Sequence, residues 1–408
     1  MNIAVVGGGW AGIAAAVELI GAGIEVTLFE AGRVLGGRAR SVLSDGHTLD
    51  NGQHILLGAY SETLNLMRHI GLDPEKAFER RPLQVIDNTG FRLALPKLPA
   101  PLNVAWGLFF AQRVGLQEKL KTALWMEGVK QRHFKLARDL TVSEWLDFAG
   151  QTGQLRRHLW EPLCLAALNT PAERASAQLF ANVLRDSLGS ARRADTDLLI
   201  PRCDLGELLP APARDYLQKK GAHIRLGTRI SELTSSLDGV RIEGEAFSAA
   251  IIATAPQHAA KLWPSLNVNY DFEPIATVYL QYPPEIRLDF PLRNLIGKLG
   301  QWVVDRKNGL LACILSGHGK WELLNDAHLA DAMHTELALP AEFLWYKVIR
   351  EKRATFSCQP NTHRPACETS HPRIFLAGDY TWADYPATLE GAVRSGLRAA
   401  RRVSTQHA

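Results

Sequence analysis

The sequence predicts an α/β fold that contains a nucleotide-binding domain, and three observations lead to that prediction. The first residues combine a short apolar run with a glycine-rich turn. A second apolar run, residues 24–29, ends at an acidic residue, Glu30. The chain has 408 residues, which is too long for one ordinary hydrophobic core, so we expect a second domain.

The glycine-rich turn follows residues 3–6, a fully apolar run that is typical of a parallel strand covered on both faces. Three glycines then follow with the spacing G-x-G-x-x-G. The first permits a tight turn, the second lets the backbone approach a pyrophosphate, and the third lets the next helix pack on the strand. That helix is expected over residues 11–20, with its positive end towards the phosphates. The turn residues that we expect to contact a dinucleotide are Gly7, Gly9, Trp10, Ala11 and Gly12.

Glu30 and the adjacent Ala31 lie at the tip of the second predicted strand. Glu30 follows Gly7 by 23 residues, a spacing at which an acid accepts hydrogen bonds from a ribose 2′-hydroxyl. A carboxylate at this position also disfavours a 2′-phosphate, which argues against NADP. Together with the strand and the helix, this acid favours a Rossmann-type nucleotide-binding fold over a chance occurrence of the glycine pattern.

A second glycine loop favours FAD over NAD as the dinucleotide. Gly36, Gly37 and Arg38 follow Glu30 closely, and we expect the arginine to make a charge-assisted contact with the pyrophosphate. A plain glycine loop with a solvated arginine is the alternative interpretation of this segment.

The last part of the chain contains a further apolar strand, residues 374–377, followed by Gly378 and Asp379. The Asp379 carboxylate is placed to hold a polyol hydroxyl such as one of the ribityl chain. A helix entered from a turn is expected over residues 386–396, and its first N–H groups would stabilise negative charge on the N1/C2=O edge of a reduced flavin. The contact residues expected here are Thr388, Leu389, Glu390, Gly391 and Ala392.

Several segments carry a resemblance to a known superfamily. The glycine fingerprint, the second glycine loop, residues 50–54, the apolar run 250–256 and the C-terminal LAGD…PATLEGAVRSG are similar to the flavin amine oxidases and carotenoid desaturases. Within that superfamily the chain most resembles the hydroxysqualene dehydroxylases, through residues 160–163, 167–170, 195–202 and 351–356.

This resemblance implies a Rossmann-type FAD-binding domain interleaved with an α+β substrate domain, as in the flavin amine oxidases. The FAD-binding parts would be 1–75, 200–265 and 365–408, and the substrate parts 76–199 and 266–364. FAD would be bound non-covalently. Further cofactor contacts implied by the resemblance are Gly52, Gln53 and His54 near the flavin ring and Ile230 at the adenine.

The resemblance also implies the reaction: reductive removal of the hydroxyl of hydroxysqualene, a polyisoprenoid of hopanoid biosynthesis, giving squalene and water. Loss of water from an allylic alcohol leaves a delocalised cation, and such a step needs an acid to assist the departing hydroxyl. Candidates for that acid are His54, Asp197 and Tyr385. Each also has a structural interpretation, as a hydrogen-bonding or turn-capping residue.

Three other functions stay open. A carotenoid-type desaturase or isomerase would use the flavin oxidatively on another polyisoprenoid. A flavin amine oxidase is disfavoured because Thr388 occupies the place where those enzymes usually carry a tyrosine of an aromatic cage. A flavin-binding sensor without turnover is the third. Since a second strand-linked G-x-G-x-x-G motif is absent from the sequence, we expect electrons to pass to or from an external partner.

Composition excludes several other classes of protein. The net charge of +4 and the lack of long Lys/Arg runs argue against a nucleic-acid partner. Five cysteines without CxxC spacing indicate reduced thiols and no metal site. The first residues do not resemble a signal peptide, and no apolar run approaches the roughly 18 residues of a membrane span. We therefore expect a soluble cytoplasmic protein.

Residues 102–138 are a candidate for peripheral contact with a membrane. The run 102–110 is strongly apolar, and between residues 97 and 138 eight Lys/Arg accompany only two acids. Aromatic residues beside cations suit the interface of an anionic leaflet. The alternative is an amphipathic helix whose apolar face covers the substrate cavity.

Overall fold

The computed structural model describes residues 1–236 and 238–407 and confirms the predicted α/β class. Its nucleotide sheet is parallel throughout, with the strand order His223–Arg225, Glu25–Phe29, Asn2–Val6, Ala249–Ile252, Ile374–Leu376. In the central strand Ile3 and Val5 belong to one hydrophobic cluster, whereas Ala4 and Val6 belong to another. The strand is therefore covered on both faces, as its uninterrupted apolar sequence predicts.

A second five-stranded sheet, which we call the floor sheet, is antiparallel. Its strands occur in the order Leu292–Asn294, Trp302–Asp305, Leu310–Ser316, Phe272–Gln281, Trp345–Phe356. The sequence predicts strands at 277–282, 300–304 and 310–315, close to three of these. The strand Trp345–Phe356 was not predicted because it carries five charged residues, and its long pairing with Phe272–Gln281 stabilises it in spite of them.

The helices and the remaining strands of the described residues are as follows. The α-helices are Trp10–Gly21, Ser61–His69, Pro74–Ala77, Leu102–Phe109, Leu116–Gln131, Val142–Phe148, Glu161–Leu168, Ala177–Asp186, Leu205–Leu208, Pro210–Lys219, Pro256–Leu262, Asp326–Leu337 and Leu389–His407. A π-helical turn spans Arg156–Trp160, and 3₁₀ turns span Arg193–Thr196, Lys320–Leu323 and Asp379–Thr381. The remaining strands are Ser41–Ser44, His47–Asp50, Leu56–Leu57, Phe78–Arg81, Gln84–Ile86, Arg92–Ala94, Leu198–Pro201, Leu233–Ser236, Gly239–Ile242 and Glu245–Phe247.

The two large sheets are built from different segments of the chain. All strands of the nucleotide sheet lie within the segments 1–75, 200–265 and 365–408, and all strands of the floor sheet lie within 266–364. The domain boundaries themselves stay a prediction. Across the described residues, no helix combines the length and apolar character that crossing a bilayer requires.

Candidate active site

One large cavity of about 1190 Å³ extends from the glycine loops to the floor sheet. Small-molecule sites usually measure roughly 300–1,000 Å³, so this cavity has room for a cofactor and a further ligand. Every residue predicted to contact the cofactor lines it except Gly12, Glu390 and Gly391. Of the three candidate acids, His54 and Tyr385 line the cavity, whereas Asp197 does not.

The two glycine loops meet at the nucleotide end of the cavity. Gly36 N–H donates to the carbonyl of Gly8 at 2.8 Å, and Gly9 forms an isolated bridge with Gly36. A Cβ built on Gly9 would meet only the Cα of Gly37, at 3.9 Å, so the space in front of Gly9 is open. This cradle suits the close approach of a pyrophosphate to the backbone.

Two buried polar atoms near this cradle point to a ligand. Thr254 Oγ1 and Gln257 Oε1 line the cavity and, within the described residues, have no hydrogen-bond partner. Both follow the strand Ala249–Ile252, whose C-terminal end packs against Gly7. A buried polar group without a partner is costly, so a dinucleotide with many polar atoms fits this end of the cavity.

Glu30 fixes the loops around the adenosine end. Its carboxylate accepts hydrogen bonds from the N–H of Gly8 at 2.7 Å and of Gly32 at 2.6 Å. The backbone carbonyl of Glu30 accepts from Thr228 N–H, which holds the segment carrying Ile230 against the same wall. Glu30 therefore shapes the phosphate loops in addition to the ribose contact that the sequence predicts.

We expect Glu30→Ala to weaken FAD binding by roughly 1–3 kcal/mol, because two backbone N–H groups and the ribose contact lose a charged acceptor. Flavin retained after dialysis, measured by absorbance per chain, reports the effect. Glu30→Gln is the control, since its amide oxygen can still accept one of these bonds and should retain more flavin. Full flavin occupancy in the alanine variant would refute the placement.

Arg38 and Asp379 form an ion pair in the cavity wall. Arg38 Nη2 lies 2.7 Å from Asp379 Oδ2, and Arg38 Nη1 donates to the carbonyl of Ala354. The pair joins the second glycine loop to the last strand of the nucleotide sheet. Contacts of Arg38 with the pyrophosphate and of Asp379 with the ribityl chain stay predictions, and both side chains border the space where those groups would lie.

The C-terminal helix Leu389–His407 begins at the cavity, since Thr388, Leu389 and Ala392 line it. Thr388 Oγ1 accepts from Gly391 N–H at 3.1 Å and so caps the helix. The positive end of the helix dipole therefore borders the cavity.

For Glu390 the structure gives a different role from the predicted cofactor contact. Its fully buried carboxylate accepts hydrogen bonds from Glu62 N–H, from Thr63 N–H and from the Thr63 hydroxyl, and it pairs with Arg394. These partners hold the side chain between two helices and away from the cavity.

Gly12 and Gly391 do not line the cavity, and close neighbours surround both glycines. A Cβ on Gly12 would lie 1.8 Å from the carbonyl oxygen of Gly7, so only glycine lets the first helix approach the turn. A Cβ on Gly391 would crowd Tyr385 and Pro386, each at 3.3 Å.

His54 is poorly suited to act as the acid. Burial lowers the pKa of His54 to about 4, so the imidazole is neutral near pH 7. Its Nδ1 lies 3.2 Å from the carbonyl of Gly52, an acceptor, which assigns the ring proton to Nδ1. The remaining nitrogen then accepts hydrogen bonds and has no proton to give.

Asp197 is excluded from direct chemistry by its position. Its buried carboxylate forms a bidentate ion pair with Arg193 and a further contact with Arg80. Only its neighbours Thr196 and Leu198 reach the cavity. In this segment Asp197 therefore belongs to a structural ion-pair cluster.

Tyr385 lies in the cavity wall, but its hydroxyl group already donates a hydrogen bond within the protein. The phenol hydrogen-bonds to Asp186, which also pairs with Arg185. Burial and the hydrogen bond to Asp186 raise the pKa of Tyr385, so the phenol stays neutral and holds its proton firmly.

Sequence reasoning missed several polar residues of the cavity. Tyr60, Asn169, Asp186, Thr277 and Trp302 all line it. They lie on separate helices, strands and loops far apart in the sequence, and no local spacing marks them. Only the cross-strand register of the floor sheet could have joined Thr277 to Trp302.

Comparisons with known proteins agree with this fold and site. Residues 10–318 and 344–404 match the family described as flavin containing amine oxidoreductase. An oxidoreductase from Methanosarcina mazei has a similar structure, with a TM-score of 0.74 at 13% identity over 98% of this chain and 100% of that one. Fold and site together define an FAD-dependent oxidoreductase.

Two curated relatives narrow the assignment. Hydroxysqualene dehydroxylase of Sinorhizobium fredii is 30% identical over 98% of this chain and 97% of its own length. Zeta-carotene desaturase of Synechocystis is 26% identical over 100% of this chain and 98% of its own length. The chain belongs to the flavin-containing amine oxidoreductase family and, within it, to the hydroxysqualene dehydroxylases. Its cofactor is FAD.

Proposed function

We propose that this chain reductively removes the hydroxyl group of hydroxysqualene and releases squalene and water. The observation that carries the proposal is the continuous cavity, which joins the nucleotide cradle to an end lined mainly by hydrophobic side chains. That end includes Leu83, Val85, Leu159, Leu163, Val183, Leu188, Leu292, Ile314 and Phe356. Such a wall suits a long hydrocarbon, and the name of the Sinorhizobium relative supports the same substrate.

In the proposed reaction the C–O bond breaks, its electron pair leaves with the oxygen, and the oxygen takes up a proton and departs as water. When bound, reduced FAD would supply the hydride that the carbon receives. The contribution of the chain is to hold the hydrocarbon, to exclude solvent and to orient the hydroxyl. The reducing equivalents come from an external donor, because the sequence lacks a second nucleotide motif.

Anaerobic mixing of the photoreduced holoenzyme with hydroxysqualene tests the proposal. We expect the flavin absorbance to return to the oxidised form while squalene appears in equal amount. Squalene itself is the control and should leave the flavin reduced.

Oxidative use of the flavin is the second candidate, favoured by the similarity to zeta-carotene desaturase. It predicts the opposite result: the reduced enzyme would stay reduced with hydroxysqualene, and the oxidised enzyme would bleach with a polyene precursor.

We further propose that the enzyme collects its substrate at a membrane through an apolar surface patch. The patch is formed by the helices Leu102–Phe109 and Leu116–Gln131 and the segment that joins them. Of the fourteen exposed large hydrophobic side chains in the described residues, seven form this patch: Leu102, Trp106, Phe109, Phe110, Leu116, Leu120 and Leu124. Trp106 and Phe110 are in ring contact at 4.4 Å and both are about half exposed, so these rings are not core residues.

The surroundings of the patch support contact with an anionic leaflet. The cations Lys97, Arg113, Lys121 and Lys130 are exposed near it. Asn103 lies on the buried side of the helix Leu102–Phe109 and donates a hydrogen bond to Thr196, which lines the cavity. The helix Leu102–Phe109 is therefore joined to the cavity wall, and we propose that a substrate with almost no aqueous solubility enters on this side.

We expect the double variant Trp106→Ser/Phe110→Ser to lose most binding to vesicles of phosphatidylcholine and phosphatidylglycerol while retaining its FAD. Added salt should weaken the wild-type association by screening. Co-sedimentation measures both effects. Leu323→Ser/Leu344→Ser removes two exposed leucines elsewhere and is the matched control. Equal sedimentation of all three proteins would exclude the patch as the attachment site.

A further inference from the structure

Four side chains cross the floor sheet in one row that faces the cavity. Trp302 pairs with Ile314, Ile314 pairs with Thr277, and Thr277 pairs with Ile349. All four line the cavity, so the row forms part of its floor. Ile55, next to His54 of the predicted flavin loop, packs in the same hydrophobic cluster as Ile314 and Ile349. The row therefore lies near the expected position of the flavin ring.

Two atoms of this row are polar and without a partner. Within the described residues, Thr277 Oγ1 and Trp302 Nε1 are buried and make no hydrogen bond. Thr277 is 1% exposed and Trp302 is 9% exposed. A buried indole N–H normally has a partner, and a buried polar group without one destabilises the protein. These two groups are unexplained unless a ligand meets them.

Three other polar side chains of the cavity wall have partners within the protein. Asn169 donates to Thr355 at 3.0 Å, and Gln53 donates to Tyr279 at 3.0 Å. Tyr385 donates to Asp186, as described above. Thr254 and Gln257, which also lack partners, lie at the opposite, nucleotide end. Thr277 and Trp302 thus offer an apolar substrate two buried polar groups that no described residue satisfies.

We propose that Thr277 and Trp302 recognise the single hydroxyl group of the substrate, an inference that rests on the proposed function. The indole N–H can only donate, so it contacts the hydroxyl oxygen. The threonine hydroxyl both donates and accepts, so it can accept a hydrogen bond from the O–H of the alcohol or donate one to its oxygen. Donation to the oxygen also favours its departure, a role for which neutral His54 has no free proton and Asp197 lies outside the cavity.

Binding to the oxidised holoenzyme tests this recognition without turnover. Hydroxysqualene and squalene differ in the hydroxyl group, and each is titrated in detergent while the flavin absorbance is followed. The wild type should bind the alcohol more tightly. Thr277→Val and Trp302→Phe should each weaken alcohol binding about tenfold, equivalent to about 1.4 kcal/mol, and leave squalene binding unchanged. Thr277→Ser, which restores a hydroxyl, should recover the preference.

Thermal unfolding separates recognition from a structural role. Since the hydroxyl of Thr277 bonds to no residue that the structure describes, Thr277→Val should unfold at the same temperature as wild type or higher. Trp345→Phe is the matched control for the tryptophan change, because Trp345 lies on the same sheet but outside the cavity. It should not alter ligand preference.

Three results would overturn the inference: equal wild-type affinity for alcohol and hydrocarbon, an unchanged preference in both variants, or a clear loss of stability in Thr277→Val. Failure of the proposed function is separate. If the reduced wild type does not convert hydroxysqualene, the proposed function is wrong. If the wild type converts it but both variants still bind the alcohol in preference to squalene, only the proposed roles of Thr277 and Trp302 are wrong.

Discussion

Replacing Gly9 by valine should give a folded protein without flavin. The backbone of Gly9 has φ −72° and ψ 179°, an extended conformation that any residue adopts. A Cβ there meets nothing closer than 3.9 Å, so the free protein has room for a side chain. The valine methyl groups would instead fill the space that the pyrophosphate needs. We expect purified material that is colourless and has a circular dichroism spectrum of the wild-type kind.

The variants Gly9→Ala and Gly12→Ala are matched controls for this prediction, because each adds one methyl group to the same turn. Gly9→Ala should fold and bind FAD more weakly by at least about tenfold, that is by about 1.4 kcal/mol. Gly12→Ala adds the same methyl group 1.8 Å from the carbonyl oxygen of Gly7, so it should lose stability together with flavin. Stoichiometric FAD in Gly9→Val would show that this turn is not the phosphate loop.

The nucleotide-binding half of the site could be predicted because its signals are local. Glycine spacing, a following helix and an acid at a strand tip occupy the first 30 residues, and each has a direct geometric reason. The structure adds one point that the spacing cannot show, which is that glycine is needed at positions 9 and 12 for different reasons. The first leaves space for a ligand, and the second leaves space for the protein itself.

The substrate half could not be predicted from the sequence, because its residues meet only through tertiary structure. Tyr385 and Asp186 are 199 positions apart, and the phenol chemistry of the former depends on the latter. Thr277 and Trp302 face the cavity together because both are in register with Ile314. Strand patterns predict which elements exist, but they do not specify pairing register across long connections.

Glu390 illustrates the same limit within a recognised motif. Its place in the C-terminal segment predicts a cofactor contact, yet its carboxylate binds the start of the helix Ser61–His69. An acid at a helix N-terminus interacts favourably with the dipole, and Arg394 balances the charge at 2.8 Å. Two segments that are distant in the sequence are thereby joined beside the cavity.

We therefore expect Glu390→Ala to destabilise the fold by about 3–5 kcal/mol, the usual effect of removing one partner from a buried ion pair. Arg394 would lose its charge partner, and the N–H groups of Glu62 and Thr63 would lose their acceptor. Urea unfolding of the holoenzyme and the apoprotein measures the loss. Because Tyr60 and Thr388 line the cavity on either side of this junction, FAD affinity should fall as well.

Glu390→Gln separates a structural role from a cofactor contact. The amide oxygen can still accept from Thr63, so this variant should retain part of the stability that the alanine variant loses. Arg394→Ala should destabilise the protein too, and the double variant should lose less than the sum of the two single changes because the residues act as a pair. An alanine variant as stable as wild type that nevertheless releases FAD would restore the original prediction that Glu390 contacts the cofactor.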